Sequence, residues 1–400
     1  MRPMPPLLSI EEALARVLAR TRPLAAESVP VAAAAGRVLA EDVAARVDLP
    51  PFASSAMDGF AVRAADLPGS LPVVSRIAAG VPADRALEAG EAMEISTGGA
   101  VPEGADSVVP VELVVEQGNR IQVAEPVAAG AHVRSAGGDV RTGEALLDAG
   151  TIIGAAQVGA LAAAGVAAVR CARRPAVVVL STGTELRAPG EALGPAQIYE
   201  SNGPMLTAAF ESAGAVVERI GPIADDEDAH REALERGLAA DVLVSSGGVS
   251  VGPHDLVRRI LAELGVEEDF WGVAVRPGKP LAFGMRGATL VFGLPGNPVS
   301  SLVAVELFVR PALLALQGAA YPGPDYESAR LASSMRRNAA RDELVRARTR
   351  LEDGEAVVEP LTGQESHMIA RAAAADALVL VPAGEGELPA GERVRFLRLR

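Results

Sequence analysis

The first ordered pattern in the chain is helical. Ser9-Ile10-Glu11-Glu12 is a capping box, and Ile10, Leu14, Val17 and Leu18 then recur on one face, which predicts an amphipathic helix at the start of the fold. From 49 to 139 the spacing shortens to β-like runs at 71–75, 92–96, 107–115 and 120–123, punctuated by Gly and Pro. This predicts a small β-rich unit inserted into a helical one, which resumes with the helix at 154–164.

Arg173-Arg174-Pro175 reads as a linker, after which the pattern becomes regular. Short apolar runs at 176–180, 215–220, 241–244 and 289–292 alternate with helical segments at 204–212, 226–239 and 255–264. Strands alternating with helices of this length predict a doubly wound parallel sheet covered on both faces. A long helix from Pro298 to about Leu316 closes the section, with a kink or break predicted at Pro311. Beyond it, Leu344, Arg346, Arg348 and Arg350 alternate with Val345, Ala347, Thr349 and Leu351. A turn at Glu352-Asp353-Gly354, a second run at 356–358 and a last strand after Gly391 predict a small β domain.

The predicted fold is therefore multidomain α/β. Its parts are a helical N-terminal domain (1–48 and 140–172), an inserted β-rich domain (49–139), an α/β domain (173–318) and a C-terminal β domain (325–400). No internal repeat is visible, and the Ala-rich patches are compositional bias.

Composition narrows the chemistry. A net charge of −14 over 400 residues argues against a general nucleic-acid binder, which needs a broad basic face. One cysteine, Cys171, excludes an internal disulfide, and with four scattered histidines an ordinary zinc or iron–sulfur cage is not expected. A divalent metal would be held by oxygen. The N-terminal residues lack the apolar core of a signal peptide, and the run 155–169 is too short and Gly-rich to span a bilayer. A soluble cytoplasmic protein without nucleic-acid or membrane partners is the expectation.

Three loops follow predicted strands: Ser181-Thr182-Gly183-Thr184-Glu185-Leu186, then the segment from Ser245 through Gly247, Gly248 and Ser250 to Gly252, then Gly293-Leu294-Pro295-Gly296-Asn297-Pro298. The carboxyl edge of an open parallel sheet is where ligands bind, and glycines there let backbone N–H groups approach phosphate. Glu185, Asp225, Asp226 and Asp255 sit on or just after these edges and suit Mg²⁺, with helix capping the plain alternative for Asp225 and Asp226. His254, without a partner histidine, reads as a loop donor. Arg276-Pro277-Gly278-Lys279-Pro280 aims two cations from a proline-restrained loop, which suits a small oxyanion, and it is not a Walker loop. Ser54-Ser55-Ala56-Met57-Asp58-Gly59-Phe60-Ala61-Val62 puts an acid beside a glycine in an otherwise apolar stretch. Its plain reading is a tight turn in which Asp58 accepts backbone hydrogen bonds and Gly59 supplies positive φ.

The segment at 54–62 resembles the signature of the molybdopterin molybdenumtransferases, the molybdenum insertases that include bacterial MoeA and the E domain of gephyrin. Ser-Thr-Gly-x-Glu-Leu, Gln197-Ile198-Tyr199-Glu200-Ser201-Asn202, Gly-Gly-Val-Ser-x-Gly-x-x-Asp, Arg-Pro-Gly-Lys-Pro and Gly-Leu-Pro-Gly-Asn-Pro-Val-Ser follow in that family's order, so the resemblance covers the whole chain. It implies an elongated four-domain homodimer whose cleft combines the α/β domain of one subunit with the β insertion of the other. The implied reaction is Mg²⁺-dependent insertion of molybdate into adenylylated molybdopterin with release of AMP. The adenylyltransferase and cofactor-accepting proteins are the implied partners.

Carried over residue by residue, the resemblance places Asp58 and Thr97 on the insertion-domain wall. Glu185, Asp225 or Asp226, and Asp255 fall on the nucleotide and metal side, with Thr182, Gly183, Ser245, Gly247, Gly248, Ser250, Gly252, Pro295, Gly296 and Asn297 around the nucleotide. Arg276, Lys279, Ser300 and Arg346 surround molybdate. Where the family commonly has serine in the C-terminal domain, this chain has Ala370 and Arg371, and Arg371 is expected to donate to the anion instead. Three alternatives stay open: a tungstate-inserting relative, a gephyrin-like scaffold and a molybdopterin adenylyltransferase. The absence of gephyrin's extra domain disfavours the scaffold, and the Asp58 motif disfavours the adenylyltransferase.

Overall fold

The computed structural model describes residues 7–223, 226–247 and 256–399. Asp225, Gly248, Ser250, Gly252, His254 and Asp255 lie outside them.

The first helix, Ile10–Arg20, starts as the sequence predicts: the Ser9 hydroxyl accepts from the Glu12 N–H, and the Glu12 carboxylate accepts from the Ser9 N–H at 2.8 Å. Its apolar face lies elsewhere than expected. Ile10, Ala13 and Val17 bury themselves in the core of the α/β sheet, whereas the rest of the N-terminal region packs around Val29, Leu39, Ile153 and Leu161. That second cluster is framed by Ala26–Pro30 pairing antiparallel with Ala168–Ala172.

Between these two strands in sequence comes an inserted six-stranded sheet. Its strands are Gly59–Val62, Gly69–Ile77, Ala92–Ile95, Ser107–Pro110, Val114–Gln117 and Arg120–Val123. The run read as one strand over 107–115 is two, divided by a 3₁₀ turn at Val111–Leu113. Pro110 ends the first because it has no N–H to offer a neighbour.

The α/β section carries a six-stranded sheet in the order Val216–Ile223, Ala176–Thr182, Val242–Ser246, Thr289–Leu294, Ala282–Arg286, Glu267–Trp271. The first four strands are parallel, as predicted, and the last two join through antiparallel pairings, so that Ala282–Arg286 alone runs against the rest. The sheet is therefore mixed. Alternation had hidden these two strands because one carries Glu267, Glu268 and Asp269, and the other ends in Gly284-Met285-Arg286. The Pro298–Leu316 segment does not break at Pro311. It passes through a π-turn at Val305–Val309, where the Arg310 N–H donates to the Val305 carbonyl. Widening the helix one turn early accommodates a residue with no N–H of its own. This is the one described helix long and apolar enough to cross a membrane, and 72% of it is buried inside the protein.

The C-terminal strands Tyr326–Leu331, Asp342–Glu352, Glu355–Pro360, Ala377–Val381 and Arg393–Arg398 close on themselves into a small barrel, because Asp342–Glu352 pairs with both Glu355–Pro360 and Ala377–Val381. Val345 and Ala347 point into its core. The opposite face of the same strand is also covered, so Leu344 and Arg346 are buried too, and alternation fails to separate inside from outside until Arg348. Leu351, in the same alternating series as Val345 and Ala347, is 81% exposed, where the strand pairs only with Glu355–Pro360.

Asp241 ties the linker to the sheet. Burial alone would raise its pKa, but two bonds from the Arg173 guanidinium at 2.6 Å and one from the Ala176 N–H hold it below the usual value. A depressed folded-state pKa adds stability above the unfolded value, about 4, that is lost as pH falls through the folded one. Asp241→Asn should lower the melting temperature at pH 7 and flatten its fall between pH 5 and pH 3, as read by circular dichroism.

Candidate active site

Three strands deliver their carboxyl ends to one place. Ala176–Thr182 brings Thr182 and Gly183, Val242–Ser246 brings Ser246 and Gly247, and Thr289–Leu294 leads into Gly296 and Asn297. They line a cavity of about 890 Å³, to which Glu185, Glu200 and Asn202 also contribute. His367 and Ile369 reach it from the C-terminal section. Pro295 lies buried beneath the third loop, where its carbonyl accepts from the Ser301 hydroxyl at 2.5 Å. The described residues of the three loops therefore meet at one edge of the sheet.

Ser245 does not join them. Side chains alternate along a strand, so Ser246 faces the cleft and Ser245 points to the other face of the sheet, under the helix Leu256–Glu263. Ser246 in turn fixes a residue the sequence reading left without a role. Asn202 Nδ2 donates to Ser246 Oγ and to the Gly296 carbonyl, each at 2.7 Å, bridging two of the three loops. Asn202 Oδ1 is buried without a partner among the described residues. An orphaned acceptor at a polar cleft marks the place of a missing donor.

The acidic residues divide. Glu185 is exposed at the cleft and folds its carboxylate over Gly183, where an added Cβ would stand 2.7 Å from Glu185 Oε2. Asp226 is a cap: its Oδ1 accepts the Ala229 N–H at 2.8 Å at the start of the helix Glu227–Gly237. The capping alternative is correct for Asp226, since an oxygen committed to the helix end is a poor metal ligand. No group of three or more His, Cys, Asp or Glu among the described residues is placed to hold a metal. The same helix brings His230 to the cleft, with Nδ1 2.7 Å from the Asp226 carbonyl, so Nδ1 carries the proton.

The cations divide too. Arg276 is exposed but bound to Glu343 at 2.7 Å, because Val275–Arg276 adds itself to the barrel in register with Asp342 and Glu343. Arg346 is 1% exposed. Its guanidinium donates to the carbonyls of Met368 (2.8 Å), Gly363 (2.7 Å) and Glu365 (3.2 Å), and Nε donates to Gln364 Oε1. Burial lowers its pKa from the ordinary arginine value. Arg346 therefore organises the 361–368 loop, which takes up four of its five N–H groups, where the expectation had it facing molybdate. Arg371 donates to Thr362 Oγ1 at 3.2 Å, on the same loop.

Lys279 is half-buried, and its ammonium meets no acceptor among the described residues. Its turn lies beside the start of the helix Pro298–Ala304, since a Cβ on Gly278 would sit 3.6 Å from the Ser300 carbonyl. Ser300 itself is buried. The barrel adds an exposed cation that sequence reasoning missed, Arg336, which shares a cavity of about 230 Å³ with Arg276 and Gln364.

On the inserted sheet, Asp58 Oδ1 accepts the Thr97 N–H at 2.8 Å, so the two residues the sequence paired do meet. Gly59 is needed for a different reason from the one expected. It lies in extended backbone, and an added Cβ would stand 2.1 Å from the Val109 carbonyl oxygen on the neighbouring strand. Gly59→Ala should destabilise by about 1–3 kcal/mol, as overpacking does, measured by urea denaturation. Neither Asp58 nor Thr97 lines the cavity at the sheet edge of its own chain.

Three family descriptions match the chain in succession: the MoeA N-terminal region (domain I and II) over residues 8–165, a probable molybdopterin binding domain over 178–315, and the MoeA C-terminal region (domain IV) over 328–399. The chain is 36% identical to molybdopterin molybdenumtransferase 2 of Mycobacterium tuberculosis, across 96% of this chain and 97% of that one. It is 33% identical to the molybdopterin molybdenumtransferase of Haemophilus influenzae, across 97% and 98%. This chain belongs to the molybdopterin molybdenumtransferase (MoeA) family. The molybdopterin biosynthesis MoeA protein of Pyrococcus horikoshii OT3 superimposes with a TM-score of 0.85 at 29% identity, covering 98% of this chain and all of that one.

For a MoeA-family chain, two sequence signals had been left unused. Asn202 ends the Gln197–Asn202 motif, yet only the fold shows it spanning two loops. Lys279 is the single lysine among 37 basic residues. A chain that uses arginine everywhere else and lysine at one half-buried position marks that position by composition alone, because an ammonium is a compact point charge and a guanidinium a planar fork.

Proposed function

We propose that this chain inserts molybdenum from molybdate into adenylylated molybdopterin, with release of AMP. The observation that carries the reading is the Lys279 ammonium, left without an acceptor among the described residues on a protein of net charge −14, in a turn beside the Pro298 helix that borders the glycine-lined cleft. Cations and N–H donors concentrated against such a background are what a tetrahedral dianion requires.

The dithiolene sulfurs that receive molybdenum belong to the substrate, so a chain with one cysteine is not short of ligands. Its work is to hold the oxyanion beside those sulfurs and the phosphates in the cleft. Water adds to phosphorus, the P–O bond of the phosphoanhydride breaks, and AMP leaves. Gly183, Gly247 and Gly296 let the phosphates approach the backbone, and Asn202 Oδ1 accepts from the bound substrate. Magnesium fits this donor set, since it takes one or two carboxylates and completes its shell with phosphate and water. Glu185 would hold it, where it neutralises phosphate charge. Asp58 and Thr97 complete the cleft of a second copy in a homodimer, which sedimentation at micromolar concentration tests: a fully active monomer overturns that arrangement.

Lys279→Gln should weaken molybdate by about tenfold to a hundredfold, from hydrogen bonds to a charged group worth about 1.5–3 kcal/mol. Adenylate affinity should change little, and excess molybdate should restore turnover. Equal loss of both affinities would move the lysine to the phosphate site.

A further inference from the structure

The inserted sheet ends in an open edge. Its outermost strand, Val114–Gln117, pairs on one side with Arg120–Val123 through the tight turn at Gly118 and Asn119, and on the other with no strand among the described residues. Bonded and non-bonded pairs alternate along such a hairpin, so Glu116, next to the closing pair Gln117–Arg120, directs its N–H and carbonyl outward. The surface there is apolar: Leu113 is 63% exposed and Val115 59%, with Val111 exposed beside them. Glu112 and Glu116 are interleaved with these residues and form no ion pair among the described residues. The chain protects its other outer strands. Val216–Ile223 carries Glu218, bound to Arg236, and has Pro222 near its end; in Glu267–Trp271, Glu268 is tied to Arg258 and Asp269 to Arg16 and Arg20. The Val114–Gln117 edge has no proline, no lysine and no paired charge, the usual protections against strand addition.

We propose that this edge receives an extended basic segment of a partner protein, added to the sheet as a seventh strand. Main-chain bonds to Val114 and Glu116 hold it, and a segment in which apolar residues alternate with lysine or arginine meets both the valines and the glutamates. Charge selects the occupant. Residues 49–139 hold twelve carboxylates against five arginines, so the field at the edge is negative. The same charge opposes a second copy of this chain, because pairing centred on Val114 would set Glu112 of one copy against Glu116 of the other. The place is not remote from the chemistry. The Val111 N–H donates to the Asp58 carbonyl at 3.1 Å, so the exposed segment starts beside the wall that bears Asp58 and Thr97. A partner held there stands next to the cleft which that wall completes in the arrangement proposed above.

The probe is a fluorescent peptide of alternating lysine and valine with blocked ends, titrated with the full-length protein and followed by anisotropy. The wild type should bind it at least about tenfold more tightly than the same peptide with glutamate in place of lysine, or with a central proline. Glu116→Pro removes an N–H that the hairpin does not use, and it should weaken the peptide at least about tenfold, whereas Glu116→Gln, the charge control, should lose about twofold to threefold. Val115→Ser should lose about threefold to fivefold and serves if melting shows that Glu116→Pro does not fold. Amide hydrogen exchange at Glu116 should slow in the complex. Equal binding by wild type and folded Glu116→Pro, or by wild type and Val115→Ser, would show adherence to an acidic surface and overturn the proposal, as would a Glu116 amide left unprotected. A Glu116→Pro protein of lower sedimenting mass than the wild type gives the edge to a second copy and also overturns it. All of these readouts are of binding and assembly, so their failure is distinct from a failure of AMP release, which refutes the proposed function alone.

Discussion

Replacing Glu185 by glutamine should cut AMP release about a hundred- to a thousandfold while leaving the melting temperature within a degree or two. The carboxylate caps no helix and has no ion-pair partner among the described residues, and it lies over the glycine turn where the phosphates are placed. Its removal therefore costs the fold little. The amide keeps the size and one acceptor oxygen but loses the charge that binds magnesium, and loss of a preorganised charge at a reacting phosphate has effects of this size. Single-turnover release of AMP, with thermal melting as the control, checks it. Raising magnesium should recover part of the rate if the carboxylate acts through the metal. Molybdate in excess should recover none, which separates this variant from Lys279→Gln. A Glu185→Gln protein that unfolds would make the residue structural.

The second large effect is on stability. Arg346→Met should cost at least about 3 kcal/mol, taking about 1 kcal/mol for each of three carbonyls deprived of its donor. Methionine fills much of the volume and removes every hydrogen bond, so the loss is one of pairing more than of packing. Lysine should not rescue it, because three N–H directions in a plane are what Gly363, Glu365 and Met368 require. The damage should reach the cleft. Ser366, on the same loop, accepts from Asn297 Nδ2 at 2.9 Å, and its carbonyl accepts from the Val299 N–H. Urea denaturation gives the stability loss, and a raised KM for the adenylylated substrate gives the transmitted one. A variant as stable as the wild type would show that the loop carbonyls find water without cost.

The sequence carried the architecture wherever local signals agree with long-range packing. The capping box at Ser9, the four parallel strands and the glycine loops at their ends all declare themselves in a few residues. It misled where one pattern serves two environments. Alternation from Leu344 to Leu351 looks like a strand with one wet face, but Leu344 on the other face joins the core of the α/β section and Arg346 is covered by the 361–368 loop. The side of the sheet on which a serine falls depends on register, so Ser245 and Ser246 were indistinguishable until the strand was in place. A charge has the same letter whether free or spent: Arg276 and Arg346 read alike, and only the fold shows one paired with a carboxylate and the other buried in hydrogen bonds. Gly59 shows the converse, a correct residue with the wrong reason, since the demand comes from the carbonyl of Val109, fifty residues along.

The solitary lysine has a practical consequence. Growth on ¹⁵N-lysine would place one labelled side chain in the whole molecule, at the position proposed to meet the anion. An amine-selective reagent would find one target besides the chain terminus. Oxyanion occupancy is then observable in the unmutated enzyme, as the response of a single nitrogen whose assignment requires no spectrum but its own.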